Sequence, residues 1–128
     1  MADASYPDDL LYHPEHDWAR VKGEDATFGI TWYAQDQLGE VVFCDPPALG
    51  TQLKQNEAYT EIESVKAVSD VFAPLSGEVV AVNDALSDKP ETINADPYGD
   101  GWLVKVRLSD PSETGSLMDA AAYEATLT

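Results

Sequence analysis

Cysteine and basic side chains are scarce in this 128-residue chain. A single cysteine, Cys44, excludes an intrachain disulfide and reads as a reduced, half-buried thiol of a cytosolic protein. A catalytic thiol would need a base, and neither His13 nor His16 lies near Cys44 in sequence. Lysine and arginine number 7 against 24 aspartates and glutamates, a formal charge of −17. Such a surface repels nucleic acid and anionic membranes, which are bound through cationic contacts to phosphate. It favours encounter with partners that carry basic patches, although general solubility or adaptation to a salty cytoplasm would account for the same charge. No apolar run approaches the ~20 residues of a membrane span. The acidic start, Met1 to Asp9, has neither the hydrophobic core of a signal peptide nor the arginines of a transit peptide. A soluble, cytoplasmic chain is expected.

At this length one domain with its own core is expected, without staples of metal or disulfide. Residues 1–8 read as a flexible N-terminus and 9–128 as the domain. Short runs of β-forming residues are separated by Gly and Pro turns: Leu10–Tyr12, Asp17–Val21, Ala26–Ile30, Glu40–Phe43, Tyr59–Glu63, Val68–Ala73, Glu78–Val82 and Trp102–Leu108. In the last of these, Lys105 and Arg107 should share one face with Leu103, opposite Trp102, Val104, Val106 and Leu108. Thr31 is placed to cap a two-turn helix over Trp32–Leu38, which Gly39 stops. Asn83 to Asp96 reads as a long loop with room for one helical turn. The tail reads as helical from about Pro111, with Asp119 capping a restart over Ala120–Ala125. This pattern predicts a mainly β sandwich or small barrel with short peripheral helices.

Gly-Glu-Val-Val occurs twice, at Gly39–Val42 and Gly77–Val80, on either side of Glu61-Ile62-Glu63-Ser64-Val65-Lys66-Ala67-Val68-Ser69-Asp70. The repeat suggests two similar β-halves, and coincidence between similar strands is the alternative. If the strands flanking Ser64–Ala67 pair as a hairpin, Lys66 projects from its tip, and small Ser64 and Ala67 leave it uncrowded. On composition and spacing alone, a surface lysine balancing Glu61, Glu63 and Asp70 is the plainer reading. His13-Pro14-Glu15-His16 has a His-x-x-His spacing, but Pro14 interrupts the helix that a zinc motif would require. No metal site is predicted.

Glu63-Ser64-Val65-Lys66-Ala67, with Ser69-Asp70 and Ala73-Pro74-Leu75-Ser76-Gly77-Glu78-Val79, resembles the lipoyl-attachment region of the glycine cleavage system H protein family. Gly29-Ile30-Thr31, Tyr33-Ala34-Gln35, Leu38-Gly39-Glu40-Val41-Val42 and Ile93 to Trp102 resemble that family's earlier and later segments, in its order. The resemblance spans roughly residues 10–127. It implies a single lipoyl-carrier domain, a flattened β-barrel or hybrid sandwich of the lipoyl-domain type. It implies a non-catalytic carrier with lipoic acid in amide linkage on Lys66, serving glycine decarboxylase, aminomethyltransferase and dihydrolipoyl dehydrogenase, and loaded by a lipoate ligase or lipoyl transferase. A monomer is expected. Asp70 matches the family's aspartate after the lysine. Asp17 stands where a glutamate is more usual, so its carboxylate is one methylene shorter. Both are candidate contacts for the amine of a loaded arm. A biotin carrier would place its lysine between methionines, whereas Val65 and Ala67 flank Lys66 here. An H-like carrier in lipoate relay or sulfur metabolism, or an interaction module without lipoate, are the alternatives.

Overall fold

The structure, a computed structural model, describes residues 6–127. The chain order is β1 (Leu11–His13), β2 (Asp17–Lys22), β3 (Asp25–Ile30), α1 (Trp32–Leu38), β4 (Val41–Cys44), β5 (Gln52–Leu53), β6 (Ala58–Ser64), β7 (Val68–Phe72) and β8 (Gly77–Val82). Then come α2 (Ala85–Asp88), α3 (Thr92–Ala95), β9 (Val104–Leu108), a 3-10 turn over Pro111–Ser116 and α4 (Ala120–Ala125). The strands form a six-stranded sheet, β1-β2-β3-β9-β8-β5, and a three-stranded sheet, β4-β6-β7. Every strand pair is antiparallel.

One apolar core is shared by the two sheets: Ala19, Phe28, Val79, Val104 and Val106 meet Val41, Cys44, Ile62 and Val71. Leu86 of α2 and Ile93 of α3 are fully buried in the same core. This is the mainly β sandwich anticipated from the turn pattern, in the flattened two-sheet form that the resemblance implies. β2 is covered on both faces. Ala19 faces the shared core, while Trp18 joins Leu10, Tyr12, Ala120 and Tyr123 in a second cluster beneath α4. Tyr6 packs edge-on against Tyr12 and Tyr123. The rest of the segment expected to fray includes residues 1–5, which lie outside the described residues.

Caps anticipated from residue type are in place. Thr31 Oγ1 accepts from Ala34 N at 3.2 Å, Gly39 N donates to Gln35 O, and Asp119 accepts from Ala122 N at 2.8 Å. Three local readings differ. The polar connector before Glu57 contains β5, too short to show a period. The loop after Asn83 holds two helical turns, each anchored by one buried side chain, Leu86 or Ile93. Leu103 is buried rather than exposed beside Lys105, and Trp102 is only partly buried, with Lys105 Nζ 5.2 Å from its ring centroid. The strand begins at Val104, so the period-2 alternation does not extend back through Leu103, and a one-residue break reverses the faces.

The two Gly-Glu-Val-Val segments lie in different sheets with the same outward pattern: Val41 and Val79 are buried, Val42 and Val80 exposed. Their glycines answer different needs. Gly39 closes α1 at φ 80°, ψ −155°, a region other residues avoid. Gly77 lies under the neighbouring strand, where a Cβ would stand 2.2 Å from Arg107 O.

Candidate functional site

The β6–β7 hairpin ends on the register pair Glu63–Val68, which leaves Ser64–Ala67 as its tip. Ser64 holds that tip with every capacity of its hydroxyl. Oγ accepts from Lys66 N (3.3 Å) and Ala67 N (3.1 Å) and donates to Ala67 O (3.2 Å), while Ser64 N donates to Ala67 O at 2.8 Å. Val65 N donates to Glu40 O at 3.0 Å, tying the tip to the α1–β4 corner. Lys66 is exposed while its backbone is held on both sides. Its aliphatic chain lies against Gly39: a Cβ there would stand 3.3 Å from Lys66 Cε. In the sequence Ser64 is only a small neighbour of Lys66. Its part as the clasp follows from the turn geometry, which makes up for the absence of Gly, Asn, Asp and Pro.

Beside the tip is a cleft of about 330 Å³ between the β1–β2 corner, α1 and the edge strand β7. Asp17 and Asp70 both line it, so the fold brings together the two carboxylates singled out in the sequence. They differ in environment. Asp70 is exposed, directly across from Glu61, whereas Asp17 is 1% exposed. The shorter side chain at Asp17 points back to His13, with Oδ1 3.3 Å from His13 Nδ1. Burial pushes the Asp17 carboxyl up to about 6, against the pull of the His13 ring. His13 is moved down by burial, but its contacts with Asp17 and then Asn56 outweigh that and leave it raised.

A second histidine is tied into the cleft wall. His16, at φ 72°, stacks at a tilt on Tyr33 and shares a hydrogen bond of 2.8 Å between Nδ1 and the Tyr123 hydroxyl, which also meets Thr31 Oγ1 at 2.9 Å. Burial lowers His16 from its ordinary value, so it stays neutral at pH 7. His13 and His16 therefore serve different partners, Asn56 and Tyr123. Cys44 is buried and free, and burial pushes its thiol up to about 12. A larger groove of about 830 Å³ lies beyond Gly39, between α1, β4 and α3, and none of the predicted site residues lines it. Its central amides satisfy each other: Asn94 Nδ2 donates to Gln35 Oε1 and Gly39 O, and Asn94 Oδ1 accepts from Val41 N.

Two antiparallel sheets around one core, with a lysine clasped at a hairpin tip, define a β-sandwich of the lipoyl-domain type, the class of carrier domains that present a single lysine. Residues 10–128 match the family model described as Glycine cleavage H-protein. The chain is 56% identical over 122 residues to the glycine cleavage system H protein of Symbiobacterium thermophilum, covering 95% of each chain. It is 50% identical over 127 residues to that of Myxococcus xanthus, covering 99% of this chain and 98% of the other. The crystal structure of a glycine cleavage system H protein from Mycobacterium marinum superposes with a TM-score of 0.87 at 38% identity, covering 94% of this chain and 98% of that one. The chain belongs to the glycine cleavage H-protein family, carrier components of the glycine cleavage system. Among the described residues no helix is long and apolar enough to cross a membrane.

Proposed function

We propose that this chain is the lipoyl-bearing carrier of a glycine cleavage system, with lipoic acid in amide linkage on Lys66 Nζ. The observation that carries the reading is the clasped tip: an exposed lysine on a backbone held by Ser64 and Glu40, with Gly39 leaving room for its chain. A modifying enzyme needs such a side chain accessible and fixed in place. The attached group supplies a disulfide–dithiol couple that carries an aminomethyl unit from a glycine decarboxylase to an aminomethyltransferase and is returned to the disulfide by a dihydrolipoyl dehydrogenase.

The chain's own residues have simpler tasks. Ser64 and the Glu40 carbonyl orient the root of the arm. Amide formation removes the Lys66 charge and leaves Glu61, Glu63 and Asp70 as an acidic surround, suited to an amine-bearing arm and to basic patches on partner enzymes. Asp70 faces the arm from the cleft rim, and Asp17 acts from beneath the floor. The protein works as a monomer in the cytoplasm, where the Cys44 thiol stays reduced.

Intact mass after incubation with a lipoate ligase, ATP and lipoate tests the assignment. One lipoyl unit is expected on the wild-type chain and none on Lys66→Ala. No added mass on the wild type, or mass that persists in the variant, overturns it.

A further inference from the structure

Presenting a lysine does not account for the buried ionisable pair beneath the cleft. His13 ends β1 and Asp17 begins β2, and the two are direct partners across the hairpin. Their side chains are 4% and 1% exposed. Among the described residues neither Asp17 oxygen meets a donor with full hydrogen-bond geometry; the groups that pull on the carboxylate are His13, with Nδ1 3.3 Å from Oδ1, and the Asp17 backbone N–H. His13 Nε2 stands 2.6 Å from Asn56 Oδ1, an acceptor, so Nε2 carries a hydrogen. Nδ1 is left to decide the charge of the pair. Protonated, it sets an imidazolium beside a carboxylate. Unprotonated, it accepts from Glu15 N at 3.1 Å, and the proton is on Asp17 or gone.

A lone carboxylate is disfavoured at such burial, so the pair retains a proton more firmly than either group would in water. The other titratable groups around Asp17 are Glu15 and His16 on the same corner, Tyr59 from β6, Tyr123 from α4 and Asp70 across the cleft. Glu15 opposes ionisation of Asp17, His16 is held neutral by burial, and both phenols are raised by burial and stay protonated. His13 is the group in ion-pair contact.

We propose that His13 is a positioning residue for the cleft: it holds Asp17 beneath the floor and shares one proton with it, and a primary ammonium entering on the Lys66 arm drives that proton into solvent. The balance is simple. The pair passes from one shared proton to none, the ammonium keeps its three, and the cleft with its guest carries the same net charge as before. The shorter side chain at Asp17 then has a physical role, because it reaches back to the histidine. This inference rests on the carrier reading of Lys66.

The test uses lipoylated protein, reduced with a phosphine and alkylated with 2-bromoethylamine to give a stable amine-bearing arm, or with iodoacetamide to give a neutral one. The His13 ring nitrogens are followed by NMR between pH 5 and 8.5. The amine arm is expected to lower the His13 midpoint by about one unit or more relative to the neutral arm, a tenfold change in proton affinity. Docking of the amine arm should therefore strengthen with rising pH between the two midpoints, about tenfold in all for a one-unit shift, and level off above the neutral-arm midpoint. His13→Gln should lose that slope, and Asp17→Asn should lose the preference for amine over amide. An equal His13 midpoint under both arms, or a His13→Gln profile with the wild-type slope, overturns the proposal. The midpoint comparison needs no variant, so it decides the matter if His13→Gln does not fold. Failure of the carrier reading is seen separately, as absence of lipoyl mass. In that case n-propylammonium chloride replaces the arm on the unmodified chain, and an unmoved His13 midpoint overturns the pair on its own.

Discussion

At the scale of single residues, Lys66 and Asp17 show opposite relations between sequence and structure. Lys66 was legible because carboxylates and small residues surround it within a recognisable motif, and the fold needs only to expose it. Asp17 was legible as a carboxylate in a family position, but its partner was not. His13 stood out as half of a His-x-x-His spacing and as a base too far in sequence from Cys44, and its pairing with Asp17 arises from hairpin register. Asn56 gave no signal at all, since it comes from a distant turn, at φ 73°, to meet the His13 ring. The pair makes a prediction about stability. Asp17 is raised from 3.8 to about 6 in the native state, so its contribution is full below about pH 4 and is lost as pH rises towards 6. His13, raised above 6.5, acts in the same direction, its share being lost as pH rises through its native value. Stability drawn from the pair therefore falls with rising pH, opposite to a salt-bridged surface carboxylate. Asp17→Asn removes the Asp17 share and should gain on the wild type by up to about 3 kcal/mol between pH 4 and 7. Urea midpoints across that range check it, and a difference that does not change with pH counts against the buried-pair account.

Elements were legible where a residue's chemistry specifies a local boundary. Thr31 and Gly39 bracket α1, and Asp119 opens α4, because capping is settled within a few residues. β5 was not legible, and of α2 and α3 only one helical turn was: two-residue strands and single helical turns carry no period, and they exist because Leu53, Leu86 and Ile93 reach the core. Leu103 is buried for a similar reason, since it enters the core one residue ahead of β9. The repeated Gly-Glu-Val-Val gives a discriminating test. Gly77→Ala places a Cβ against the Arg107 carbonyl oxygen and 2.4 Å from Val106 Cγ1, so β8 and β9 must separate. A loss of about 3 kcal/mol or more is expected. Gly39→Ala meets only the flexible end of Lys66, and its cost is the backbone strain of its φ and ψ, about 1–3 kcal/mol. Denaturant midpoints should rank the two variants in that order, and only Gly39→Ala should change the NMR environment of Lys66.

For the whole molecule, the charge of −17 is almost unanswered by ion pairs. Among the described residues there are two: the buried His13–Asp17 pair and Arg107–Asp25 at 4.0 Å, whose partners are both mostly exposed and contribute little. Self-repulsion among the acids should therefore be relieved by salt. Raising NaCl from 0.05 to 1 M is expected to raise Tm by roughly 5 °C, equivalent to about 1 kcal/mol. A Tm that falls or stays level would show that the acids are too dispersed to repel. The mainly β class was evident in the sequence because turns and alternation are local. So were the helix caps and the acidity of the surface. Tertiary structure decided which strands form which sheet, that Ser64 clasps the tip, and that a cleft lies beside Lys66. It also decided that His13 and Asp17 share the floor of that cleft. Those features depend on register and on side chains brought together from distant segments, which no local pattern encodes.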